Sequence, residues 1–138
     1  MSPAARFAVT SAAVLGVLFP VLETARRGLD AWLRTPATLL EDYVAGALLL
    51  GAAVAVFRRW PSGWIMMLAA SAYTTGMMSS SLWGQLEAQL QGVTWEANQA
   101  LIVAIKMILW GLPLSMTIVA AKMLRGRPGE RAAAKPIT

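Results

Sequence analysis

Four ionisable residues in this chain have the types and placement that could do chemistry: Glu23, Glu41, Asp42 and Lys106. Lys106 is the only charged position in an apolar run from Ala97 to Ala121. On a helix in water such a lysine is ordinary, but in hydrocarbon it needs a partner or a wet route. With carboxylates in reach it could hold an anionic group or exchange a proton with Glu41 or Asp42. A purely architectural reading of the same residues is also available. Thr38–Leu39–Leu40–Glu41 has the spacing of a capping box, and Asp42 would gain from the dipole of a first helical turn. Lys106 could extend its stem toward headgroups or pair with one acid only to avoid isolation.

Other chemistries are excluded by composition. The chain has no cysteine, which removes disulfides, thiolate zinc sites and iron–sulfur clusters. It has no histidine, which removes bis-histidine haem, histidine-ligated zinc and any imidazole-based triad. No nucleophile–base pair or metal cage is legible, so a non-enzymatic protein without cofactor or metal is expected. The net charge of +5 does not point to nucleic acid, because the basic residues flank apolar segments and form no stripe on a polar helix.

The elements that must position these residues are membrane helices. Hydrophobic residues make up 57% of the chain and charged ones only 14%, against roughly 25% charged in soluble proteins. Four apolar segments are expected as spans, at about 5–22, 39–57, 62–83 and 97–121. The second would be about 28 Å long as a helix, close to the ~30 Å of a hydrocarbon core. Pro61 and Ser62 are placed to start the third, while Gly126 and Pro128 stop the fourth. Pro20 falls in the last turn of the first helix, where it can redirect the chain. Pro113 lies mid-segment and removes a hydrogen bond to the Leu109 carbonyl. A secretory signal is not expected, since Val21–Leu22–Glu23 follows the first apolar run where small residues should stand.

Between the first two spans, Leu22, Ala25, Leu29, Trp32, Leu33 and Pro36 follow helical spacing. Arg26, Arg27, Asp30 and Arg34 take much of the remaining circumference. That pattern predicts a short amphipathic helix at about 23–36 lying in the interface. Residues 1–124 then form one all-α, four-helix transmembrane domain, and 125–138 a basic disordered tail.

Counting lysine and arginine near the segment ends gives eight on the side of the termini and only Arg26, Arg27 and Arg34 on the other. By the positive-inside rule, both termini are cytoplasmic. Alanine- and arginine-rich usage suggests a bacterial inner membrane. Small residues recur every fourth position as Ala8, Ala12 and Gly16; Ala47, Gly51 and Ala55; and Ala72, Gly76, Ser80 and Gly84. Each ladder would let another helix approach closely. The hydroxyls between Ser71 and Ser81 are expected to bond back to carbonyls one turn earlier and to neighbouring helices. The methionines of that segment are expected to fill gaps in packing.

The leading functional expectation is a small bundle that self-assembles into a homo-oligomer or serves as a subunit of a membrane complex, with the lipid bilayer as its constant partner. The alternative is a small transporter or channel with an outward-facing polar site at Glu41, Asp42 and Lys106, with Glu23 nearby.

Overall fold

The computed structural model describes residues 1–28, 33, 36–92 and 98–126. Among the described residues it forms four long helices: α1 (Pro3–Arg27), α2 (Pro36–Phe57), α3 (Gly63–Leu90) and α4 (Gln99–Arg125). Three segments within them are long and apolar enough to cross a membrane: Pro3–Ala25, Leu39–Phe57 and Ala100–Arg125. α3 has 28 residues, about 42 Å of helix, but its serines, threonines and glutamines leave it without a comparably apolar stretch.

Helix ends follow local chemistry, and several differ from the expected bounds. Ser2 caps α1, accepting from the Ala5 amide at 3.2 Å, with Pro3 in the first turn. α1 does not end near Leu22. It continues through Pro20, Glu23 and Thr24 to Arg27, and stops only where Gly28 adopts φ 76. Pro20 removes a single bond, to the Gly16 carbonyl, and Thr24 Oγ1 donates to the Pro20 carbonyl at 2.6 Å. The first part of the expected interfacial segment is therefore the last turn of α1. Its remainder, apart from Leu33 and Pro36, lies outside the described residues.

α2 begins at Pro36, so Thr38 is already helical and is not the capping residue. α2 ends in a Schellman turn: Trp60 N–H donates to the Ala55 carbonyl and Arg59 N–H to that of Val56, with Arg59 at φ 58. α3 runs one to two turns past the expected end at residue 83, because Gln85 to Leu90 are compatible with helix and the first breaker is Gly92 at φ 71. α4 passes through Pro113 and reaches Arg125. The expected tail beyond Gly126 lies outside the described residues.

The helices pack in ring order as two antiparallel hairpins. Contacts are most extensive between α1 and α2 and between α3 and α4, fewer between α2 and α3, and fewer still between α1 and α4. One end of the bundle, called here the turn end, carries the start of α1, the end of α4 and the α2–α3 turn. The core sits in that half: Ala8, Ala12 and Leu15 from α1, Leu49, Ala52 and Val56 from α2, Met67 and Ala70 from α3, Met116 and Ala120 from α4.

Close approach occurs where α1 crosses α2. A Cβ added to Gly46 would lie 2.6 Å from the Gly16 carbonyl oxygen, and one added to Gly16 would lie 2.9 Å from that of Gly46. The Gly16 carbonyl is the one that Pro20 frees, so the Gly46 backbone lies against an oxygen lacking its helical donor. The first small-residue ladder therefore packs as expected. The second packs only at Ala55, which is buried with its carbonyl against Gly63: Ala47 is exposed, a Cβ on Gly51 would meet nothing within 4 Å, and Gly46 makes the approach to α1 instead. On α3, Ala72, Gly76 and Ser80 are exposed and added Cβ atoms at Gly76 and Gly84 are unobstructed. That third ladder packs against no helix.

Candidate functional site

α3 and α4 are joined by a ladder of side-chain hydrogen bonds. Thr117 Oγ1 meets Ser71 Oγ at 3.0 Å, Trp110 Nε1 donates to Ser79 Oγ at 2.8 Å, and Lys106 Nζ donates to Ser81 Oγ at 2.7 Å. As one partner number falls the other rises, which is the mark of an antiparallel pair. Many of the α3 hydroxyls also bond back one turn, as their spacing predicts: Ser71 to Met67, Thr74 to Ala70, Thr75 to Ser71 and Ser79 to Thr75. A hydroxyl whose proton is held by its own helix still offers lone pairs to a neighbour. Ser79 uses both capacities, with Trp110 as its donor.

At the end of the bundle opposite the turn end, the hairpins do not close on each other. A cleft of about 830 Å³ lies between them. It is lined by Glu23, Glu41, Asp42 and Lys106, so all four candidate site residues reach one space. Glu23 comes from the second-last turn of α1 and Glu41 and Asp42 from the second turn of α2. Lys106 stands seven residues into α4, about 10 Å along its axis. Glu41 is exposed, whereas Glu23, Asp42 and Lys106 are half-buried. Near the mouth, Thr24 Oγ1 and the Tyr43 hydroxyl lie 2.9 Å apart and tie α1 to α2.

The charge in this cleft is asymmetric. All three carboxylates come from the α1–α2 hairpin. The facing wall, from α3 and α4, contributes Ala72, Tyr73, Gly76, Ile102, Ile105 and Leu109. The third small-residue ladder therefore has a place: Ala72, Gly76 and Ser80 make a thin wall, which leaves the volume that larger side chains would fill. Met77 and Met78 also line the cleft, and Phe19 reaches into it from the core.

Sequence reasoning found the four charged residues but not the wall opposite them. Spacing places Ser81 among hydroxyls that bond within α3 or to a neighbouring helix without naming Lys106 as its partner, and assigns Gly76 to helix packing. One signal was available: in an antiparallel hairpin, residues equidistant from the connecting loop face each other, which pairs Lys106 with the neighbourhood of Ser81. Among the described residues, no group of three or more histidine, cysteine, aspartate or glutamate side chains is arranged to hold a metal ion.

Among the described residues, fold and site together define an all-α arrangement of four long helices, three of them with stretches long and apolar enough to cross a membrane, with a charged cleft at one end. No family model, curated protein or solved structure matches the chain.

Proposed function

We propose that the protein is a non-enzymatic integral membrane protein of the transporter or channel class. It spans the bilayer four times and receives a small solute in the cleft between its hairpins. The observation that carries this reading is the convergence of Glu23, Glu41, Asp42 and Lys106 on one cleft whose other walls are mostly apolar. A charged cluster needed only for architecture would be packed shut, and a volume of about 830 Å³ is in the range of small-molecule sites. Ionisable groups at membrane depth are costly and concentrate along ion and solute pathways.

Four crossings follow if α3 is counted as a span. Its hydroxyls are bonded to its own carbonyls and to α4, so its polarity is largely satisfied internally. Orientation follows from charge: Arg6, Arg58, Arg59, Lys122 and Arg125 gather at the turn end and belong in the cytoplasm. The cleft then faces outward.

Flux through reconstituted vesicles tests this reading. Three probes sharing an octyl chain serve as candidate solutes: a trimethylammonium, a sulfonate and a sulfobetaine. Wild-type protein should accelerate efflux of at least one of them. Gly76→Trp, which fills the cleft from an unobstructed position, should abolish that efflux without unfolding the bundle. Equal efflux with both proteins, or none with either, contradicts solute passage through the cleft.

A second reading, a bundle that assembles with itself or within a membrane complex, is favoured by α4. It is the least covered of the three helices with a stretch apolar enough to cross a membrane, with Leu101, Ile105, Met107, Ile108 and Ile118 exposed. Lipid covers such a face equally well, so this reading ranks second.

A further inference from the structure

We infer that the cleft takes the acyl chain of a lipid, which enters from the bordering leaflet through the seam between α1 and α4 and leaves its headgroup at the rim. This deepens the reading of the cleft as a solute site and rests on it. Of the two seams that separate the hairpins, the one between α1 and α4 is the more thinly packed. There Leu22 of α1 and Ile105 of α4 both line the cleft, yet they remain 48% and 46% exposed. Val21 beside the one and Leu101 a turn from the other are exposed as well. Among the described residues, the cleft wall therefore runs on into the helix surface that faces lipid in a spanning protein. The border on the α2 side is different. Glu41 is exposed there with Asp42 beside it, and a hydrocarbon chain avoids such an edge.

Depth along the helices sorts the lining into the order found in a leaflet. Glu23 stands about 6 Å from the end of α1, and Lys106 about 10 Å from the start of α4. Deeper on the same two helices come Phe19, at about 12 Å, and Leu109, at about 15 Å. Phe19 belongs to the buried core, and Leu109 and Met78 pack against that core, so these three lining residues form the floor. Charged groups thus lie toward the headgroups, with hydrocarbon beneath them. A headgroup of either sign meets polar neighbours at that level. A chain that leaves the bilayer for this floor exchanges one apolar surrounding for another. Water on the same floor would find apolar walls and few hydrogen-bond partners.

Photolabelling of the full chain in nanodiscs tests the inference, with phosphatidylcholine carrying a diazirine midway along one acyl chain. Peptide mapping should find adducts on the floor residues Phe19, Met78 and Leu109, and also on Ile108, which is exposed and outside the lining. Gly76→Trp should lose the floor adducts and keep those on Ile108. Ile105→Asp sets a charge on the lip of the seam and should lose the floor adducts too. Leu40→Asp, at an exposed position on α2 outside the lining, should keep them. Unfolding midpoints measured alongside separate lost labelling from lost fold. Adducts on Ile108 with none on the floor overturn the lipid occupant. If Gly76→Trp still abolishes probe efflux in that case, the solute cleft itself stands; if it does not, both readings fall. Floor adducts that survive Ile105→Asp, or that Leu40→Asp also removes, overturn entry between α1 and α4. Floor adducts without efflux of any octyl probe uphold the lipid occupant and overturn passage.

Discussion

Lys106 Nζ donates to Ser81 Oγ at 2.7 Å, linking the first half of α4 to the second half of α3 on the wall of the cleft. The one charge of the Ala97–Ala121 apolar run is thereby tied to a hydroxyl twenty-five residues away in sequence. Removing the acceptor should register in stability. Ser81→Ala is expected to lower unfolding free energy in detergent by about 1 kcal/mol, in the range of a hydrogen bond made by a charged group in a wet site. An unchanged midpoint means that the bond contributes nothing.

The same ladder predicts energetic coupling one turn deeper. Trp110 Nε1 donates to Ser79 Oγ, so Ser79→Ala and Trp110→Phe remove the two ends of one bond. A double-mutant cycle should return a coupling of about 0.5–1.5 kcal/mol. Additive single effects would remove this bond from the list of interactions that fix the α3–α4 register.

The α1–α2 crossing gives a paired prediction. Gly46→Ala places a methyl against the Gly16 carbonyl, and overpacking of that kind costs about 1–3 kcal/mol. Gly51→Ala, five residues along the same helix, meets open space and should be neutral or stabilising by up to about 1 kcal/mol through helix propensity. Thermal unfolding of both variants in one detergent checks the contrast, and equal effects contradict the crossing described here.

α3 should depend on α4 for its place in the membrane. It is the one of the four helices without a stretch apolar enough to cross a membrane, and three of its serines are partnered across the hairpin. A chain ending at Gly92 should lose the partners Lys106, Trp110 and Thr117. A cysteine at Gln89, in a protein that has none of its own, should then become inaccessible from the outside to an impermeant maleimide in a larger share of molecules. Full retention of labelling shows that α3 inserts unaided.

The helical class and the existence of four long elements were legible because apolar runs separated by charge clusters leave few alternatives. Helix ends were less legible. Pro20 reads as a terminator, but in a continuous helix it frees one carbonyl, and here that carbonyl lies against Gly46. The small-residue ladders show the limit most clearly. Ala8, Ala12 and Gly16 pack against a helix, whereas Ala72, Gly76 and Ser80 line an open cleft. Spacing alone cannot distinguish these outcomes, because small side chains permit close approach and also leave space. The charged site was legible as residue types. Its one-sided arrangement was not, since that depends on which hairpin supplies each wall.

The most direct measurement is the accessibility of two single cysteines in intact cells, Ser62→Cys in the α2–α3 turn and Gln91→Cys at the far end of α3. Four crossings with the cleft outward predict that an impermeant maleimide labels Gln91→Cys from outside, and Ser62→Cys only after permeabilisation. Labelling of both from the same side would mean that α3 does not cross, and the reverse pattern would put the cleft in the cytoplasm.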